Sequence, residues 1–108
     1  MTDITIQQIM ENMPQAFMPE RAGNLTAVIQ LHLSGDGGGD WMISIADGKC
    51  ATQQGLATNP RLTLRATAQD YLNIALGKLD GTAAFMQGKL KMQGDLNLAM
   101  KMLSFFKR

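Results

Sequence analysis

The sequence predicts an α+β fold in which a five-stranded, largely antiparallel sheet carries its helices on one face. Apolar residues recur with period two in five short runs and with helical spacing in the segments around them. Glycine, proline and aspartate stand where the period changes. The 108 residues suit a single domain, 1–108, because domains of about 100–150 residues are commonest.

Thr2 and Asp3 are both good N-cap types, and Ile6, Ile9, Met10 and Met13 after them fall on one helical face. Pro14 is expected to end this helix or open a second, and Pro19 to stop the short turn Ala16, Phe17, Met18. From Leu25 the period becomes two: Leu25, Ala27, Ile29, Leu31 and Leu33 alternate with Thr26, Val28, Gln30 and His32, a strand with one dry face. A glycine-rich turn, Ser34 to Asp40, leads to a second strand with Trp41, Ile43 and Ile45 on its dry face. Asp47-Gly48 is a strong two-residue hairpin signal, and the polar strand Lys49–Gln54 after it suits a sheet edge. Pro60 opens a fourth strand with Leu62, Leu64 and Ala66 inward.

Thr67 to Asp70 has capping-box spacing before Tyr71, Leu72, Ala75 and Leu76, and Gly77 closes that helix. Asp80 caps a short turn, Thr82–Met86. Leu90 and Met92 alternate with Lys89, Lys91 and Gln93 in a fifth strand, and Asp95 caps a last helix.

Composition narrows the function classes. A net charge of +1 argues against general nucleic-acid binding, which needs a strong positive field. The charge is uneven, however. Residues 1–59 carry two bases and six acids, net −4, and residues 60–108 carry eight bases and three acids, net +5. No run approaches the roughly 18–20 apolar residues of a membrane span, and the N-terminus lacks the basic-then-apolar order of a secretory signal. A single cysteine, Cys50, leaves no internal disulfide and fits a reducing compartment, so the expected location is cytoplasmic. Nine methionines against six aromatic residues point to adaptable rather than rigid apolar packing.

Catalytic and metal chemistry is poorly supplied. His32 is the only histidine and falls on a polar strand face, while Ser34, Ser44 and Cys50 lie in no nucleophile motif. Asp3, Asp47, Asp70, Asp80 and Asp95 sit at caps or turns, and no His/Cys/acid spacing suggests a metal. The glycine turn fails the dinucleotide pattern, since Asp40 stands where a glycine is needed, and no phosphate loop is present, since the Gly-Lys pairs are followed by Cys50, Leu79 and Leu90 rather than by Ser or Thr. No catalytic residue, metal ligand or cofactor is expected.

The last helix is too apolar for a surface cover. Leu96, Ala99, Met100 and Leu103 form one face, and Leu98, Met102, Phe105 and Phe106 broaden it beyond the usual stripe of about 100°. The surplus must meet another helix, a second copy of the chain, a membrane or an apolar ligand. Phe105-Phe106-Lys107-Arg108 suits a membrane interface. Arg61, Arg65, Lys89 and Lys91 fall on the polar sides of their strands, and neighbouring strands would join them into one basic patch for an anionic surface.

The run Ala84-Phe85-Met86-Gln87-Gly88-Lys89-Leu90-Lys91, then Gly94-Asp95-Leu96 and Leu98-Ala99, resembles the sterol carrier protein type-2 domain. Trp41 with Asp47-Gly48-Lys49, Leu62-Thr63-Leu64, Tyr71-Leu72 and Ala75 to Leu79 agree with that family. The resemblance implies an apolar tunnel between helices and sheet that holds a lipid (fatty acid, fatty acyl-CoA or sterol) without covalent chemistry. Phe85, Met86 and Leu90 stand at motif positions as expected lining residues. Facing and period add Trp41, Leu64, Leu72, Leu76, Met100, Leu103 and Phe106, with Gln87 as an amide for a headgroup. An empty apolar cavity of about 300 Å³ would cost roughly 7 kcal/mol, so such a tunnel has to be filled or collapsible. The alternative function is a protein-interaction or homodimerisation module docking through the last helix.

Overall fold

A computed structural model describes residues 4–102 and 105. Its elements are α1 (Ile6–Ala16), α2 (Pro19–Ala22), β1 (Ala27–Ser34), β2 (Gly39–Ala46), β3 (Lys49–Gln54), β4 (Leu62–Thr67), α3 (Ala68–Ala75), α4 (Gly81–Met86), β5 (Leu90–Gly94) and α5 (Leu96–Met102). The α+β class and the five strands follow the alternation in the sequence.

The strands lie in the order β3-β2-β1-β4-β5. Three neighbouring pairs are antiparallel; the central pair, β1 with β4, is parallel. The sheet is therefore mixed at its centre. Local alternation specifies which face of β4 is dry but not which strand receives it, because that pairing joins segments about thirty residues apart. The two-residue turn between β2 and β3 is of the hairpin kind, with Asp47 at φ 53° and Gly48 at φ 72°. Gly94 is required at its position: its φ is 110°, and a Cβ there would lie 2.6 Å from the Arg61 carbonyl oxygen.

The dry face is continuous. One row across it runs Trp41, Leu31, Leu64, Met92, and the next runs Thr52, Ile43, Ile29, Leu62. Over this face α1 packs on β3, α3 on β1 and β4, α4 on β5, and α5 on β4 and β5. Ile6, Met10, Met13, Phe17, Tyr71, Ile74, Ala84, Leu98, Ala99, Met102 and Phe105 join the sheet residues in one core.

Two helix boundaries differ from expectation. Thr5, not Thr2 or Asp3, caps α1: its hydroxyl accepts from the Gln8 N–H, and the Gln8 side chain accepts from the Thr5 N–H, a full capping box. Pro14 lies inside α1 rather than ending it. A proline at this position deprives the Met10 carbonyl of its helical donor, and the Thr52 hydroxyl of β3 donates to that oxygen at 2.8 Å instead. Pro19 opens α2 at its first position, where its missing N–H costs nothing. The caps expected at Thr67, Asp80 and Asp95 are formed by side-chain bonds from the Asp70, Ala83 and Leu98 N–H groups.

The other face is not open throughout. Gln30 belongs to the polar side of β1 yet is only 2% exposed. Its Nε2 donates to the Trp41 and Gly55 carbonyls, and its Oε1 accepts from the Ala57 N–H. The segment carrying the chain from β3 back to β4 is thereby pinned to the outer face of the sheet.

Candidate functional site

The apolar layer between helices and sheet is the first candidate. Its sheet wall is aliphatic and aromatic, and its helix wall contains Met10, Met13 and Met102. Among the described residues no charged side chain is buried. Three polar groups enter this layer. The Thr52 hydroxyl is committed to the Met10 carbonyl. Burial pushes the Cys50 thiol up to about 11, so it stays protonated and unreactive. The Tyr71 hydroxyl donates to the Met13 sulfur at 3.7 Å; burial first, and then the neighbouring Cys50, raise its pKa well above the ordinary phenol.

The expected lining residues divide. Trp41, Leu64 and Leu90 are buried on the inner sheet face, and Leu72 packs at the margin of the core. Leu76 is half-buried at the end of α3. Phe85 and Met86 are 41% and 80% exposed, so Met86 faces solvent rather than the layer. The cause lies in α4 itself: its buried residues are Gly81 and Ala84, spaced one turn apart, and this small-residue face places the next two side chains outside. Gln87 ends α4 through its backbone N–H, and its exposed amide is free of any such duty. Met100 is half-exposed, and so is Leu96. Leu103 and Phe106 lie outside the described residues, as do Lys107 and Arg108.

Part of the surplus apolar surface of the C-terminal segment has an address. The Phe105 ring meets Phe17 edge-on at 6.2 Å, and the Phe105 carbonyl accepts from the Met18 N–H. Phe105 thus docks where α1 meets α2. Met10, Met13, Tyr71 and Met102 are among the layer residues that period and motif reading left out of the expected lining. The spacing of Met10 and Met13 on the α1 face was the available signal.

A second feature lies on the opposite face. His32, Ser34, Asp40, Arg65, Thr67, Asp70, Lys89 and Lys91 line a cleft of about 540 Å³. His32 Nδ1 donates to Asp40 Oδ1 at 2.6 Å. Arg65 stands directly opposite Lys91 on the adjacent strand, an unfavourable like-charge pairing, and no described carboxylate lies within ion-pair distance of Arg65, Lys89 or Lys91. Arg61 leaves the expected patch because it pairs with Asp95 at 3.1 Å. Hydrogen bonds from the Leu98 N–H, then the Arg61 side chain, lower the Asp95 pKa. Among the described residues no group of three His, Cys, Asp or Glu side chains is placed to hold a metal, and no helix is long and apolar enough to cross a membrane.

Comparison with known proteins places this architecture. The SCP-2 sterol transfer family model matches residues 6–107. Hydroxysteroid dehydrogenase-like protein 2 of Xenopus tropicalis is 34% identical over 76 residues, covering 69% of this chain but only 18% of that protein. The solution structure of palmitated SCP2L2 from Aedes aegypti matches with a TM-score of 0.77 at 25% identity, covering 94% of this chain and 93% of that one. The sec-alkylsulfatase Pisa1 from Pseudomonas sp. shares the fold at 18% identity with a TM-score of 0.84, covering 97% of this chain and 17% of that one. The same fold thus stands nearly alone in one neighbour and as a small part of much longer chains in others. With the helix-covered five-stranded sheet and a family match over almost its whole length, the chain belongs to the SCP-2 sterol transfer family.

Proposed function

We propose that residues 1–108 act as one lipid-binding unit that carries fatty acids, fatty acyl-CoA or sterols with their apolar parts held in a tunnel between helices and sheet. The observation that carries this reading is the methionine-walled layer without a buried charge among the described residues. Such walls repack around a flexible chain or a ring system and close when the cargo leaves. The palmitated state of the Aedes aegypti neighbour supports an acyl cargo, and the family's name supports a sterol.

Trp41, Leu64 and Leu90 serve as inner walls, Leu72 and Leu76 as the margin, and Phe85, Met86, Gln87 and Met100 as the rim a lipid crosses. The unit acts by binding and release and assigns no residue to covalent chemistry, whatever enzyme domains accompany its relatives. Arg65, Lys89 and Lys91 give it transient contact with anionic membrane surfaces, each base contributing about 1 kcal/mol near such a surface. We assign it to the cytoplasm on its single buried thiol.

Native mass spectrometry of the purified protein, followed by organic extraction, tests the reading. One lipid per chain, co-purified or taken up on addition, upholds it. A bare chain that ignores fatty acids, acyl-CoA and sterols refutes it. A mass that doubles with concentration in that bare state would assign the half-exposed Leu96 and Met100 to a homodimer contact.

A further inference from the structure

We infer that the Tyr71 hydroxyl is the polar anchor of the ligand layer and selects lipids whose inner end carries an uncharged oxygen: an alcohol, a ketone or an ester carbonyl. The inference rests on the lipid-carrier reading and names the chemistry that reading leaves open. Tyr71 is buried to 7% exposure, in the first turn of α3. A buried phenolic hydroxyl ordinarily finds an oxygen or nitrogen partner, because burying it without a good one is costly. Here its partner is the Met13 thioether, 3.7 Å away, and thioether sulfur is a weak acceptor.

The layer around it is largely apolar, with the neutral Cys50 thiol as a neighbour. Met13 and Tyr71 belong to the same core as Ile43, Ile45 and Ile74, and a phenylalanine would satisfy that environment without leaving a donor behind. The hydroxyl is therefore a donor for which an oxygen would be a better acceptor than the Met13 sulfur. Met13 is suited to give way, since an unbranched thioether side chain changes rotamer at little cost.

The acceptor's charge follows from what is absent nearby. No described Lys, Arg or His is buried, and the other polar groups of the layer are the neutral Cys50 thiol and the Thr52 hydroxyl, which is already bonded to Met10. A carboxylate brought into such a layer keeps no cation and loses its water, which is far costlier than burying a neutral oxygen. An uncharged oxygen meets the donor and loses little. Charged ends, such as a carboxylate or the phosphates of an acyl-CoA, then remain at the rim, while a thioester carbonyl is free to reach the hydroxyl.

The test uses the intact chain and displacement of a polarity-sensitive fluorescent lipid by hexadecanol, hexadecane or palmitate. In the native protein hexadecanol competes better than hexadecane. Tyr71→Phe reduces that preference by about threefold to tenfold, the worth of one ordinary hydrogen bond, and weakens hexadecanol more than palmitate. Met13→Leu removes the sulfur while keeping the volume, and retains the preference for the alcohol. An alcohol-to-alkane ratio that is the same in Tyr71→Phe and the native protein overturns the anchor while leaving the carrier reading intact. Loss of the preference in Met13→Leu but not in Tyr71→Phe would give the role to the sulfur and also overturn it. Failure of all three lipids to bind the native protein overturns both.

Discussion

Replacing Gln30 by leucine removes the one polar side chain buried on the outer face among the described residues, while nearly preserving its size. The amide has two N–H donors shared among the Trp41, Gly55 and Leu31 carbonyls, and one oxygen accepting from Ala57. At most three good bonds are therefore lost, each worth about 1 kcal/mol net. Peeling of the segment around Gly55 and Ala57, both half-buried, returns those groups to water and offsets part of the loss. A net destabilisation of about 2 kcal/mol remains, or roughly 8–16 °C in Tm for a domain near this size. Urea titration gives the stability, and amide exchange at Ala57 reports the segment. A change below about 0.5 kcal/mol, or an Ala57 amide as protected as before, would refute the claim that Gln30 holds this crossing in place.

Thr52→Val leaves the Met10 carbonyl without its donor and costs about 1–2 kcal/mol in native Pro14 protein; adding Pro14→Ala supplies an N–H to that carbonyl, so a double-mutant cycle in urea shows a smaller loss. Asp95 has a lowered pKa in the folded state, so its contribution is complete above the unfolded value of about 3.9 and disappears as pH falls through the lower folded value. The stability gap between native protein and Asp95→Ala, followed by thermal melts, therefore narrows below about pH 4. Alanine at Arg65, Lys89 and Lys91 together weakens binding to phosphatidylserine vesicles about a hundredfold in a sedimentation assay at low salt, from roughly 3 kcal/mol for three bases, with no change on neutral vesicles.

Period and capping chemistry located most elements because those signals are local. Ala27 to Leu33 and Trp41 to Ile45 face inward as their alternation requires, and Thr67, Asp80 and Asp95 cap the helices that follow them. What escaped depends on contacts distant in sequence. Pro14 stays helical because a hydroxyl 38 residues on replaces its missing donor, and Gln30 is buried by a segment that crosses the sheet only because β4 pairs with β1. The same division holds in the layer between helices and sheet. Trp41, Leu64 and Leu90 reached the layer through strand parity, whereas Phe85 and Met86 turned outward because α4 seats itself by Gly81 and Ala84. A motif fixes residue identity; the small neighbours decide which way a short helix rolls. Tyr71 was visible as an apolar helical position, but the weakness of its partner is a tertiary fact.

Trp41 is the only tryptophan of the chain and is buried on the inner face beside Leu31. Its fluorescence therefore reports directly on the layer proposed to hold the cargo. The decisive measurement is energy transfer from Trp41 to a polyene fatty acid or polyene sterol titrated into the protein. The account predicts efficient transfer that saturates at one lipid per chain and is reversed by an unlabelled competitor. Undiminished Trp41 emission through a full titration with both probes would contradict it.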